Sequence, residues 1–152
     1  SPVQTPWGEF QQHVYVDKLS GETHLALVKG KPSADTETLV RVHEPFSVMD
    51  FIQANPRHSW SLPKALERIQ QAESGVVILL HRTEDGATLL DRTLPKGANQ
   101  AYKWDSKSYG IGAQILAGLN VGKLRVLGQP SAFTGLTGFG LEVVGFEEAE
   151  NK

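Results

Sequence analysis

The 152-residue chain has no cysteine and a single methionine. Without cysteine it can form neither a disulfide nor a thiolate metal site, and redox chemistry says nothing about its compartment. It also lacks any excess of one charge: 15 basic residues face 17 acidic ones, a net charge of −2. That balance excludes the broad basic field by which proteins hold nucleic acid nonspecifically. No apolar run approaches the ~20 residues that span a bilayer, so no membrane partner is expected. No signal-peptide pattern opens the chain, and the expected compartment is the cytoplasm. There is no internal repeat. There is no GxSxG elbow for Ser-His-Asp catalysis. Gly110-Ile111-Gly112 is a poor dinucleotide fingerprint, because it follows no strand and Ile115 stands where the third glycine belongs.

What is present suits one globular domain: 39% hydrophobic and 21% charged residues are enough to build a core. Ser1 opens the chain without a methionine, which leads us to expect a segment of a longer protein. Residues 1–8 (SPVQTPWG) are Pro-rich and read as a linker end, residues 9–148 as the domain, and residues 149–152 as an acidic tail. Strand-like runs cover 9–16 and 23–29, with a turn at 19–22, a polar loop at 30–37 and a short strand over Leu39–His43. The spacing of Leu62, Leu66 and Ile69 predicts a helix over 62–73, with Ser61 as N-cap and Pro63 in the first turn. After Gly75, the run VVILLH is short and rich in branched residues, which favours a buried strand. Residues 83–104 read as a long loop. Ile111, Ile115 and Leu119 mark a second helix over 106–119, followed by strands at Lys123–Leu127 and Leu141–Phe146. The order implies an α/β domain, with α+β as the alternative. Trp7, Trp60 and Trp104 read as packing residues rather than base-stacking platforms, and Glu67–Arg68 and Asp91–Arg92 as ordinary surface charges. His81, at the end of the central strand, is a candidate pocket residue, because sites gather at strand ends in such folds.

Several motifs carry a resemblance. Thr5-Pro6-Trp7-Gly8-Glu9-Phe10 opens the match, Thr38-Leu39-Val40-Arg41-Val42-His43 continues it, and the run from Ser108 to Gly145 is its longest part. Together they resemble the GTP cyclohydrolase II family over roughly residues 5–148. The resemblance implies a mixed sheet flanked by helices. It also implies a zinc held by three cysteines, from RVHSEC and, eleven residues on, CDCG. Here Phe46, Arg57 and Ser59 stand at those three positions. A catalytic zinc needs three protein donors and an open position. His43 and His58 alone do not rebuild one, so no metal is expected in this domain.

Other family elements are altered too. The RQEGR loop corresponds to Arg82-Thr83-Glu84-Asp85-Gly86, retaining Arg82 and Glu84. The D-x-R-D-Y stretch corresponds to Asp105-Ser106-Lys107-Ser108-Tyr109. Asp105 matches the family's base, and Lys107 replaces an arginine whose planar fork it lacks. The TNNPxK loop has become Gly128-Gln129-Pro130-Ser131-Ala132. By this resemblance the catalytic positions are Asp105 and Lys107. The ligand-binding positions are Arg41, His43, Arg82, Glu84 and Tyr109, for a nucleotide ligand. The expected function is a degenerate, zinc-less accessory, regulatory or dimerisation domain. It would serve a fused or associated 3,4-dihydroxy-2-butanone 4-phosphate synthase of riboflavin biosynthesis, with a homodimer by family analogy and magnesium confined to the fused synthase. The alternative is a metal-independent enzyme acting on a nucleotide or a later riboflavin-pathway intermediate.

Overall fold

The computed structural model describes residues 1–18, 21–43, 60–80, 106–128 and 140–148. Among them, seven strands form one sheet: β1 (Pro2–Thr5), β2 (Gly8–Val16), β3 (Thr23–Lys29), β4 (Glu37–His43), β5 (Gly75–Leu80), β6 (Lys123–Leu127) and β7 (Glu142–Glu147). Two helices accompany them, α1 (Leu62–Gln70) and α2 (Ser106–Gly118). The sheet order is β1-β2-β3-β5-β4-β6-β7. Strands β1, β2, β3 and β5 pair antiparallel, whereas β5, β4, β6 and β7 pair parallel. The α/β expectation therefore holds, and the antiparallel half is its N-terminal wing.

Strand β5 is the hinge between the two halves. All six of its residues are buried, as a strand covered on both faces requires. Alternation sends Val77 and Leu79 to one face, where Leu62, Ala65, Leu66 and Ile69 of α1 cover them. It sends Val76, Ile78 and Leu80 to the other, under Ala113, Ile115 and Leu116 of α2. Gly75 opens the strand because a Cβ there would lie 2.6 Å from Ile69 Cγ2. The helix thus packs against bare backbone.

Helix α1 starts as its sequence implies: the Ser61 side chain accepts from the Lys64 amide, and Pro63 sits in the first turn. It ends at Gln70 rather than at 73. The Lys29 ammonium, on β3, donates to the carbonyls of Gln70 (2.9 Å) and Ala72 (3.1 Å). A cation there satisfies carbonyls that the helix end leaves open. Helix α2 closes at Asn120, whose φ of 66° lets the Val121 amide reach back to Leu116 O at 3.1 Å.

Residues 1–8, read as a linker end, are structured instead. Pro2–Thr5 pairs with Gly8–Gln11, and the Gln12 amide donates to Ser1 O at 2.8 Å. Proline is tolerated there because β1 is an edge strand and Pro2 is its first residue. The long loop expected over 83–104 lies outside the described residues.

Candidate functional site

Strands β4 and β5 are parallel neighbours, but the helices that follow them cover opposite faces of the sheet. In open α/β sheets ligands bind in the crevice that such a divergence opens, which makes the carboxyl ends of these two strands the candidate site. His43 ends β4 and Leu80 ends β5. Of the residues proposed from sequence, Arg41 and His43 lie here, on the α1 face, two residues apart on one strand.

Both are deeply enclosed: Arg41 is 7% exposed and His43 1%. Burying a guanidinium is costly unless its donors are used. Arg41 Nη1 donates to Leu127 O at 2.9 Å, and Nη2 to Trp60 O at 3.3 Å. The first bond holds the end of β6, and the second holds the residue that leads into α1. Trp60 in turn donates its indole Nε1 to Glu147 O at 2.8 Å, and the Gly128 amide donates to the same oxygen at 3.0 Å. The Glu147 carboxylate takes two bonds from Arg68 on α1, Nε to Oε1 at 2.6 Å and Nη2 to Oε2 at 3.2 Å. A paired fork of this kind fixes geometry as well as charge. Arg41, Trp60, Glu147 and Arg68 therefore tie the carboxyl ends of β4, β6 and β7 to the start and body of α1.

Sequence reading assigned Arg41 a ligand-binding role. The two bonds just described run to the protein's own main chain, so Arg41 also braces the ends of β4 and β6. Trp60, Arg68 and Glu147 were missed as members of this network. Arg68 and Glu147 are 79 residues apart, and nothing local marks them as a pair. Lys107 and Tyr109 lie in the first turn of α2. Asp105, Arg82, Glu84 and His81 lie outside the described residues, as do Phe46, Arg57, His58 and Ser59. Asp91, Arg92 and Trp104 lie outside them too.

Among the described residues, no group of three or more His, Asp or Glu side chains is placed to hold a metal. At the family's three thiolate positions stand a phenylalanine, an arginine and a serine. That donor set does not fit the family's zinc, and no step is derived through one. Among the described residues no helix is long and apolar enough to cross a membrane.

The profile of the GTP cyclohydrolase II family matches residues 1–148. A protein of Neisseria meningitidis serogroup A named 3,4-dihydroxy-2-butanone 4-phosphate synthase is 96% identical over 150 residues, covering 99% of this chain and 41% of the relative. A Pseudomonas aeruginosa protein of the same name is 39% identical, over 98% of this chain and 42% of its own length. The crystal structure of RibBX, described as a two-domain 3,4-dihydroxy-2-butanone 4-phosphate synthase from A. baumannii, matches with a TM-score of 0.58 and 30% identity. It covers 100% of this chain and 39% of that one. The chain spans about two fifths of the length of the curated relatives it matches.

These relatives overturn the expected function. The segment read as a degenerate accessory domain is shared, nearly whole, with proteins that carry an enzyme's name. The same finding displaces the reading as a metal-independent enzyme on a nucleotide or later intermediate. The error was to equate the loss of thiolates with the loss of purpose: missing zinc ligands exclude one chemistry and leave others open.

Proposed function

The chain belongs to the GTP cyclohydrolase II family, and we propose that it is part of a 3,4-dihydroxy-2-butanone 4-phosphate synthase working in riboflavin biosynthesis. The observation that carries this is the 96% identity to the Neisseria meningitidis protein of that name across 99% of the chain. At such identity nearly every side chain is shared, so the two proteins are held to the same chemistry. The lyase activity is assigned to the full-length protein, of which this segment is one part, with any magnesium belonging to that reaction. We place the protein in the cytoplasm, as a homodimer, and without zinc in this domain.

Within the segment, ligand contacts are assigned to the crevice at the carboxyl ends of β4 and β5. The product named by the relatives carries a phosphate and a ketone. A phosphate asks for cations, and the family resemblance makes Arg82 and Lys107 the candidates. Proton transfer asks for a group such as His43, and the family resemblance adds Glu84, Asp105 and the Tyr109 hydroxyl as candidates. Arg41 acts one layer inward, by holding the wall on which His43 sits.

The test is an assay of the full-length protein on two reactions. Formation of 3,4-dihydroxy-2-butanone 4-phosphate, with no turnover of GTP, is the expected result. GTP ring opening without formation of the butanone phosphate refutes the assignment.

A further inference from the structure

A second hollow lies on the other face of the sheet from the Arg41–Trp60 network. It is a half-open cavity of about 320 Å³ between the ends of β2 and β3 and the middle of α2. Ile111 and Ile115 of α2 and Val16 of β2 give it aliphatic walls, and Tyr15, Asp17, His24 and Gln114 line it with polar groups. Tyr15 and His24 are directly paired across β2 and β3, and Tyr15 packs against the α2-side core. The floor is therefore sheet and the wall is helix, both parts of the rigid frame.

The chemistry of the lining narrows the occupant. No lysine or arginine is among the described lining residues, and the Asp17 carboxylate disfavours a phosphate. The volume falls at the lower end of small-molecule pockets, which run from about 300 to 1,000 Å³. A phenol and a carboxamide each offer one donor side and one acceptor side. A ligand that satisfies both presents a donor and an acceptor side by side. An amide or lactam edge does so, and the aliphatic walls suit the faces of a flat ring.

We propose that this cavity is a binding site for a small, phosphate-free aromatic compound bearing an amide or lactam edge, with Tyr15 and Gln114 reading that edge. Burial raises the Tyr15 phenol above its ordinary value, which keeps it neutral and able to donate. The site lies on the opposite face of the sheet from Arg41 and His43, and it does not depend on which reaction the full-length protein performs.

The test uses full-length protein with labelled isoleucine methyl groups and benzamide as the probe. The expected result is a saturable shift of the Ile111 and Ile115 signals. Tyr15→Phe and Gln114→Leu, each removing one polar partner, weaken that binding by about 3- to 10-fold. Gln114 is exposed, so its replacement leaves the core intact, and a melting curve confirms that both variants are folded. Benzoate, the anionic analogue, binds more weakly than benzamide. The proposal is overturned by any of three results: no saturable shift at millimolar benzamide, binding indifferent to both substitutions, or benzoate binding as tightly as benzamide.

Discussion

Replacing Arg41 gives the sharpest test of the bracing at the ends of β4 and β6. In Arg41→Ala the Leu127 and Trp60 carbonyls both lose their buried donor. A buried polar group left unpaired costs about 1–3 kcal/mol, so the pair amounts to about 2–6 kcal/mol. Arg41→Lys distinguishes charge from geometry. An ammonium is one point on a flexible stem and lacks the fork that reaches two carbonyls at once. It keeps at most one of the two bonds, for a loss of about 1–3 kcal/mol. The control is Arg68→Ala, which breaks the ion pair to Glu147. Those side chains are 33% and 31% exposed, and solvent screening holds the expected loss to about 0–1 kcal/mol. Urea melts of the three variants, followed by tryptophan fluorescence, give the ordering directly. The reasoning is refuted if Arg41→Lys is as stable as the parent, or if Arg68→Ala costs more than Arg41→Ala.

Gly30 sits at a φ of 71°, and a Cβ there would collide with the carbonyl oxygen of Glu73. Gly30→Ala should therefore lose more than about 1 kcal/mol in a urea melt, through the backbone conformation alone. Ile69 is fully buried under the α1 face, and Ile69→Ala should cost about 2–5 kcal/mol by the same measurement. Burial raises the Tyr15 pKa above its ordinary 10.0, so the folded state holds this proton more tightly than the unfolded chain does. The associated stability is complete below pH 10.0 and is lost as pH rises through the folded value. An ultraviolet titration comparing the parent with Tyr15→Phe should show one phenol ionising late.

Much of the fold was legible because the relevant signals were local. VVILLH announced a two-sided buried strand through its lack of polar alternation. Ser61, Pro63 and the Leu62–Leu66–Ile69 spacing located α1, and its true end required Lys29, which lies on a strand 41 residues away from the first carbonyl it caps. Pro2 and Pro6 misled, because proline signals a linker and an edge strand equally well. The site was less legible. Arg41 could be picked out, but the Leu127 and Trp60 oxygens it holds are main-chain atoms, which no side-chain pattern announces. Trp60 and Glu147 meet only after β7 is laid beside β6, 87 residues apart in sequence. The functional misreading had a different origin: absent cysteines are visible in a sequence, and what a protein does without them is not.

The position of β5 has a consequence for how the chain assembles. In sequence β4 comes before β5, yet in the sheet β5 lies between β3 and β4. The chain therefore crosses from β3 to β4 over a slot that stays vacant until residues 75–80 arrive. Until then the inner flanks of β3 and β4 lack their partner, and the segment destined for the slot is the most apolar strand of the sheet. Long-range closures of this kind slow folding and leave unpaired edges open to association. Protection from hydrogen exchange should then arise in β3, β4 and β5 as one event, like a keystone locking an arch. A chain halted before Gly75 should be far more prone to aggregate than one extended past Leu80.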